Sequence, residues 1–147
     1  FPCNTFSIAR RGRIGYTTKF FGDQIITAEL LDEDMERNGV PLIRKSEEII
    51  AYFQPRLWIM ENPKTGRAKD YLAHLPHYDV DYCRYSNPVL TQKPTRFWTN
   101  KENFTPLRCN HRNKKAEHIG WDRLGLVGNK LDARYAIPPS LVEQLLT

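Results

Sequence analysis

The 147 residues suit one domain with a real core, because a chain of this length buries well over half of its unfolded surface on folding. Hydrophobic content of 40% and charged content of 27% are ordinary for a globular chain, and no apolar run approaches the roughly 18–20 residues of a membrane helix, so a helical membrane partner is excluded. A net charge of +5 favours polyanionic partners, and three cysteines without paired spacing argue against a disulfide framework and for a reducing, intracellular setting without a secretory leader.

The chain opens on Phe1-Pro2-Cys3-Asn4-Thr5-Phe6-Ser7, with no initiator Met, as if inside a motif. A processed, trimmed or incomplete chain is the expectation. Pro2 fixes φ and withholds an N–H, so Cys3 is presented from a stiff, non-helical turn as a candidate nucleophile. Residues 8–22 read as a basic loop in which Arg10, Arg11, Arg13 and Lys19 alternate with Gly12, Gly15 and Gly22, beside Tyr16, Phe20 and Phe21. Guanidinium groups can track a phosphate backbone and rings can stack on bases; a solvated loop with a few rings in the core is the equal alternative. Gly12-Arg13-Ile14-Gly15 is not a dinucleotide fingerprint.

Thr27 is expected to cap a short helix through Arg37, with Asn38-Gly39 as a left-handed stop and Asp32, Glu33, Asp34 and Glu36 on a solvated face. Ser46 is expected to start a second helix, with Glu47 and Glu48 in its first turn, Ile49, Ile50 and Phe53 inward, and Gln54-Pro55 as its end. Residues 56–60 then read as a short apolar strand of the kind buried in a parallel sheet, leaving Glu61-Asn62-Pro63 at its carboxyl end. A second strand is expected over 78–85, where Cys83 reads as a small buried hydrophobe, and a third over 97–99. Arg96, at the mouth of the third strand, would bring a fixed fork of donors near Glu61. Residues 100–133 are irregular and basic. There Cys109, His111 and His118 offer zinc-ligand types at a spacing that matches no finger pattern, the alternative being a loop of hydrogen-bonded or exposed histidines. Ile137-Pro138-Pro139-Ser140 opens a last helix with Leu141, Val142, Leu145 and Leu146 inward.

Pro2-Cys3 with Phe6-Ser7, then Glu61-Asn62-Pro63, then Gln92 and Arg96, then Ala136-Ile137-Pro138-Pro139, in this order, resemble the C5-cytosine DNA methyltransferases. The longer phrases Trp58-Ile59-Met60-Glu61-Asn62-Pro63 and Tyr82-Cys83-Arg84-Tyr85 resemble that family's compact phage and giant-virus branch. The resemblance implies an α/β, partial Rossmann-like methyltransferase fold: residues 1–99 as the second half of the catalytic core, 100–133 as a small irregular target-recognition segment, and 134–147 as a helix returning to the core. It implies methyl transfer from S-adenosylmethionine to C5 of a cytosine flipped out of double-stranded DNA, with Cys3 adding to C6 and Glu61 acting near N3. Arg96 matches a base-side arginine, although Pro94 stands where a first arginine is usual. Gln92, Arg10, Arg11, Arg13 and Asn62 are carried as DNA or base contacts, and Pro2, Ile137 and Pro138 as donor contacts. The family's Phe-x-Gly-x-Gly donor element is not present. The chain alone is therefore expected to be inactive and to need a missing N-terminal half. The competing reading is a non-catalytic nucleic-acid-binding module, stabilised by zinc.

Overall fold

A computed structural model of the chain describes residues 4–85, 91–110, 118 and 136–147. Its centre is a three-stranded antiparallel sheet in the order β1-β3-β2, with β1 over Ile59–Pro63, β2 over His77–Asp81 and β3 over Pro94–Thr99. The fold is mixed helix and sheet, in line with the α/β expectation. The edge strands run parallel to each other, but each pairs with β3 in the opposite sense, so the expected parallel pairing is absent among the described residues.

Register decides what faces what. Met60 lies opposite Trp98, Glu61 opposite Phe97 and Asn62 opposite Arg96, while Tyr78 and Asp79 meet Phe97 and Arg96 from the other side. Side chains alternate between faces with period two. Met60, Asn62, Asp79, Arg96 and Trp98 therefore share one face, and Ile59, Glu61, Tyr78, Val80 and Phe97 the other. Each face carries its own core. The first joins Met60 and Trp98 to Phe6, Met35, Val40, Ile43, Ala68 and Leu72. The second joins Val80 and Phe97 to Tyr82, Tyr85, Phe104, Leu141 and Leu145.

The helical run over the first face departs from expectation. Thr27 caps α1 (Ala28–Asp34), its Oγ1 accepting from the Leu30 amide at 3.1 Å. The chain does not stop at Asn38-Gly39. A π-helical turn, Met35–Gly39, carries it into α2 (Val40–Phe53). Gly39 holds helical angles, φ −96° and ψ −56°, and serves packing: a Cβ there would stand 2.7 Å from Phe6 Cζ. Pro41 lies in the first turn of α2, where its missing N–H is tolerated. Ser46 is accordingly mid-helix, its hydroxyl donating to the Leu42 carbonyl at 2.8 Å. Val40, Ile43 and Ile50 face the core, whereas Ile49 and Phe53 are exposed. Gln54 ends the helix in the left-handed region at φ 44°, its amide donating to Ile50 O.

A short helix α3 (Ala68–Tyr71) follows β1, and α4 (Pro139–Leu146) covers the second face through Leu141 and Leu145. Val142 and Leu146, expected inward, are exposed because α4 presents a single stripe to the sheet. Of the four acidic residues expected on a solvated face, Glu33 and Glu36 are exposed, but Asp34 and Asp32 are taken by basic partners. Asp34 is buried against Arg10 at 2.6 Å, and Asp32 takes Arg11 at 2.6 Å and Arg67 at 2.5 Å.

Candidate active site

Glu61 lies inside β1 rather than after its end, because pairing with β3 extends the strand through Pro63. Its carboxyl is half-buried beside the second core. The Tyr82 hydroxyl donates to Glu61 Oε1 at 3.4 Å, and the Lys93 ammonium sits 4.7 Å from the Tyr82 ring centre. Burial raises the Glu61 carboxyl above its ordinary value of 4.5, and Lys93 and the Tyr82 hydrogen bond only partly offset it. Burial, then the Glu61 charge, push the Tyr82 phenol up as well, so Tyr82 remains a proton donor. Lys93 holds the left-handed region at φ 32°, unusual for a residue with a Cβ, just before β3 begins. The sequence signalled neither Tyr82 nor Lys93 as a partner of Glu61. They meet it only because β2 and the start of β3 fold against β1.

Arg96 does not reach Glu61. The register puts it on the opposite face, where its Nε and Nη2 donate to Asp79 at 2.7 and 3.0 Å, a bidentate pair on the neighbouring strand. Lys64 joins the same carboxylate at 3.0 Å. Burial alone would raise Asp79, but the Arg96 and Lys64 contacts outweigh it and hold the carboxyl down to about 2. Asn62 shares that face and is fully buried, so it is not a surface group open to a base. Among the described residues neither end of its amide has a hydrogen-bond partner, and its Oδ1 lies 3.2 Å from where a Cβ on Gly66 would be. The Phe6 carbonyl, three residues past Cys3, accepts from the Arg67 amide at 2.9 Å and closes the same corner.

Gln92 is likewise inward, its Nε2 donating to Asp81 at 3.4 Å. Asp81 is 1% exposed and also accepts from Arg108 Nε and from the Cys109 amide, each at 2.8 Å. In the basic segment Arg10 is a clamp rather than a free cation. It pairs with Asp34 and lies over Phe20 and Phe21 at 5.6 and 5.2 Å. Arg11 is half-exposed and paired with Asp32, while Arg13 is exposed. Short 3₁₀ turns over Ile8–Arg13 and Lys19–Phe21 give order to what reads as a loop. Tyr16 and Phe20 remain open to solvent.

At the other end, Pro138 is buried and its carbonyl accepts from the Leu141 and Val142 amides, so it is committed to starting α4; Ile137 offers only a partly exposed apolar edge. Their expected part in donor binding is therefore limited to the Ile137 edge and to backbone. Cys109 and His118 do meet, with Sγ and Nε2 3.6 Å apart. Their third companion is Cys83, taken from sequence for a plain buried thiol. Burial and the neighbouring Cys109 thiol raise the Cys83 thiol. Pro2, Cys3 and His111 lie outside the described residues.

A carboxylic acid held toward its protonated form by burial, beside a phenol and an ammonium at a sheet edge, is the equipment of an enzyme that donates a proton or hydrogen bond to its substrate. The chain is 38% identical over 159 aligned positions to the "Probable DNA (cytosine-5)-methyltransferase" of Frog virus 3 (isolate Goorha), a match covering 99% of this chain and 71% of that protein. The chain belongs to the C5-cytosine DNA methyltransferases. No family model and no solved structure matches it. No described helix is long and apolar enough to cross a membrane.

Proposed function

We propose that the chain carries the base-activating half of a DNA cytosine-C5 methylation site, with Glu61 as the acid and Cys3 as the nucleophile. The supporting observation is the half-buried Glu61 carboxyl under the Tyr82 hydroxyl, an enclosure that raises it. The Cys3 thiolate adds to C6 of a flipped cytosine, and the C5=C6 π electrons move toward C5 and N3. A protonated Glu61 donates to N3 and stabilises that electron-rich ring. S-adenosylmethionine, when bound, would supply the methyl group for C5 and leave as S-adenosylhomocysteine. Loss of the C5 proton to a base re-forms the double bond and expels the Cys3 thiolate, and N3 returns its proton to Glu61. Tyr82 holds Glu61 in place through the 3.4 Å hydrogen bond.

Arg96 becomes a positioning residue in this scheme, tying β3 to β2 through Asp79. Asn62 takes the same kind of role: a fully buried amide beside Gly66 and near Phe6 is suited to bind backbone of the turn that carries Cys3. DNA contacts pass to Arg13 and the open rings of Tyr16 and Phe20. Because the family's Phe-x-Gly-x-Gly donor element is not present in these residues, the chain assayed alone is expected to show no turnover.

The test is covalent trapping on a duplex carrying 5-fluorocytosine, with labelled donor and the complete enzyme. An adduct at Cys3 that disappears in Cys3→Ser and is slowed at least tenfold in Glu61→Gln is expected. Equal trapping by Glu61→Gln removes the acid assignment. Tight DNA binding without any adduct favours the competing non-catalytic module. Turnover by the chain alone overturns the expectation of inactivity.

A further inference from the structure

We infer that Cys83, Cys109 and His118 form a structural zinc site that pins the segment after β3 to the turn after β2. The ligand atoms, two Sγ and one imidazole nitrogen, lie within 4.8 Å of one another. Zinc at about 2.3 Å from sulfur and about 2.0–2.1 Å from nitrogen, with tetrahedral angles, implies an S···N edge of about 3.6 Å and an S···S edge of about 3.8 Å. The Cys109 Sγ to His118 Nε2 distance is 3.6 Å. Neither cysteine is in a disulfide, and a thiolate and imidazole donor set selects zinc over the hard, oxygen-seeking cations.

The surroundings are built to hold the ligands still. Cys83 stands in the 3₁₀ turn Tyr82–Arg84 and is 3% exposed. The strip carrying Cys109 is laced to that turn. The Asp81 amide donates to Leu107 O at 3.1 Å, the Leu107 amide to the Tyr85 hydroxyl at 2.7 Å, and the Cys109 amide to Asp81 at 2.8 Å. Arg84 reaches Asn110 at 3.2 Å. Such outer contacts orient first ligands in metal sites. Binding would convert two thiols to thiolates and release two protons, leaving a fourth position for water or a further ligand. None of the three ligands has a part in the catalytic assignment, although Cys83 follows Tyr82, which donates to Glu61, in the same turn.

The experiment is metal analysis of this chain, expressed in zinc-replete medium and purified without chelator, with cobalt(II) exchange as the second measurement. About one zinc per chain and a thiolate-to-cobalt charge-transfer band are expected. Cys83→Ser, Cys109→Ser and His118→Ala should each cut zinc retention at least fivefold. Alkylation of Cys83 and Cys109, read by mass spectrometry, should be slow in the native chain and become fast on chelation, a readout that needs no variant to fold. Less than a tenth of a zinc per chain with no charge-transfer band overturns the inference. So does zinc retained in full by Cys83→Ser and His118→Ala, or alkylation of Cys83 and Cys109 indifferent to chelator.

Discussion

Gly39→Ala separates local propensity from tertiary packing. Gly39 already holds helical angles, so alanine fits the backbone, and propensity alone promises a gain of about 1 kcal/mol. The structure points the other way. The new Cβ would stand 2.7 Å from Phe6 Cζ, 2.9 Å from Thr5 Oγ1 and 3.1 Å from Phe6 Cε2. Phe6 is 1% exposed and belongs to the first core, so its ring has nowhere to retreat. Overpacking of this kind costs about 1–3 kcal/mol, leaving a net loss of up to about 2 kcal/mol after the propensity gain. For a chain of this size that lowers Tm by up to roughly 8 °C. Gly12→Ala is the control: nothing lies within 4 Å of its Cβ, and stability should hold or rise slightly. Urea and thermal denaturation of both variants decide it. A Gly39→Ala protein as stable as the native chain, or more so, refutes the packing argument.

Three further expectations rest on charges. Asp79 is held at about 2 against an ordinary 3.8, so its contribution is complete above pH 4 and is lost as pH falls toward 2; Asp79→Asn should forfeit about 1–2 kcal/mol at neutral pH, allowing for solvent screening, and flatten that acid limb in a pH series of urea melts. Glu61 has the opposite sign. Its raised carboxyl makes the native chain lose stability as pH rises past 4.5, so Glu61→Gln should match or exceed it at pH 7 and converge with it below pH 4, and a clearly less stable variant at pH 7 contradicts the burial argument. Arg10→Ala leaves Asp34 buried with Asn38 as its remaining side-chain partner among the described residues and should cost about 2–3 kcal/mol, whereas Arg13→Ala should leave stability within about 0.5 kcal/mol and lower the salt slope of DNA binding by about 0.9, measured by fluorescence anisotropy.

The sequence by itself determined the class of the chain, because the turn, strand and helix signals and the ordered motifs from Pro2-Cys3 to Pro138-Pro139 depend on residue type and local spacing alone. Thr27 capped its helix and Gln54 ended the next as the local rules require. Tertiary structure decided the rest. Asn38-Gly39 looks like a stop, yet it lies within a π-helical turn because Gly39 is needed under Phe6. Arg96 looks like a neighbour of Glu61, yet pairing Glu61 with Phe97 sends the two side chains to opposite faces, a difference of one residue in register that no local signal encodes. Arg10 is basic in a basic segment, yet a buried Asp34 claims it. Cys83 joins Cys109 and His118 only because β3, between them in the chain, pairs beside β2 and returns the irregular stretch that follows to Asp81. Contacts between residues far apart in sequence are made by sheet register and core packing, and those are properties of the folded chain.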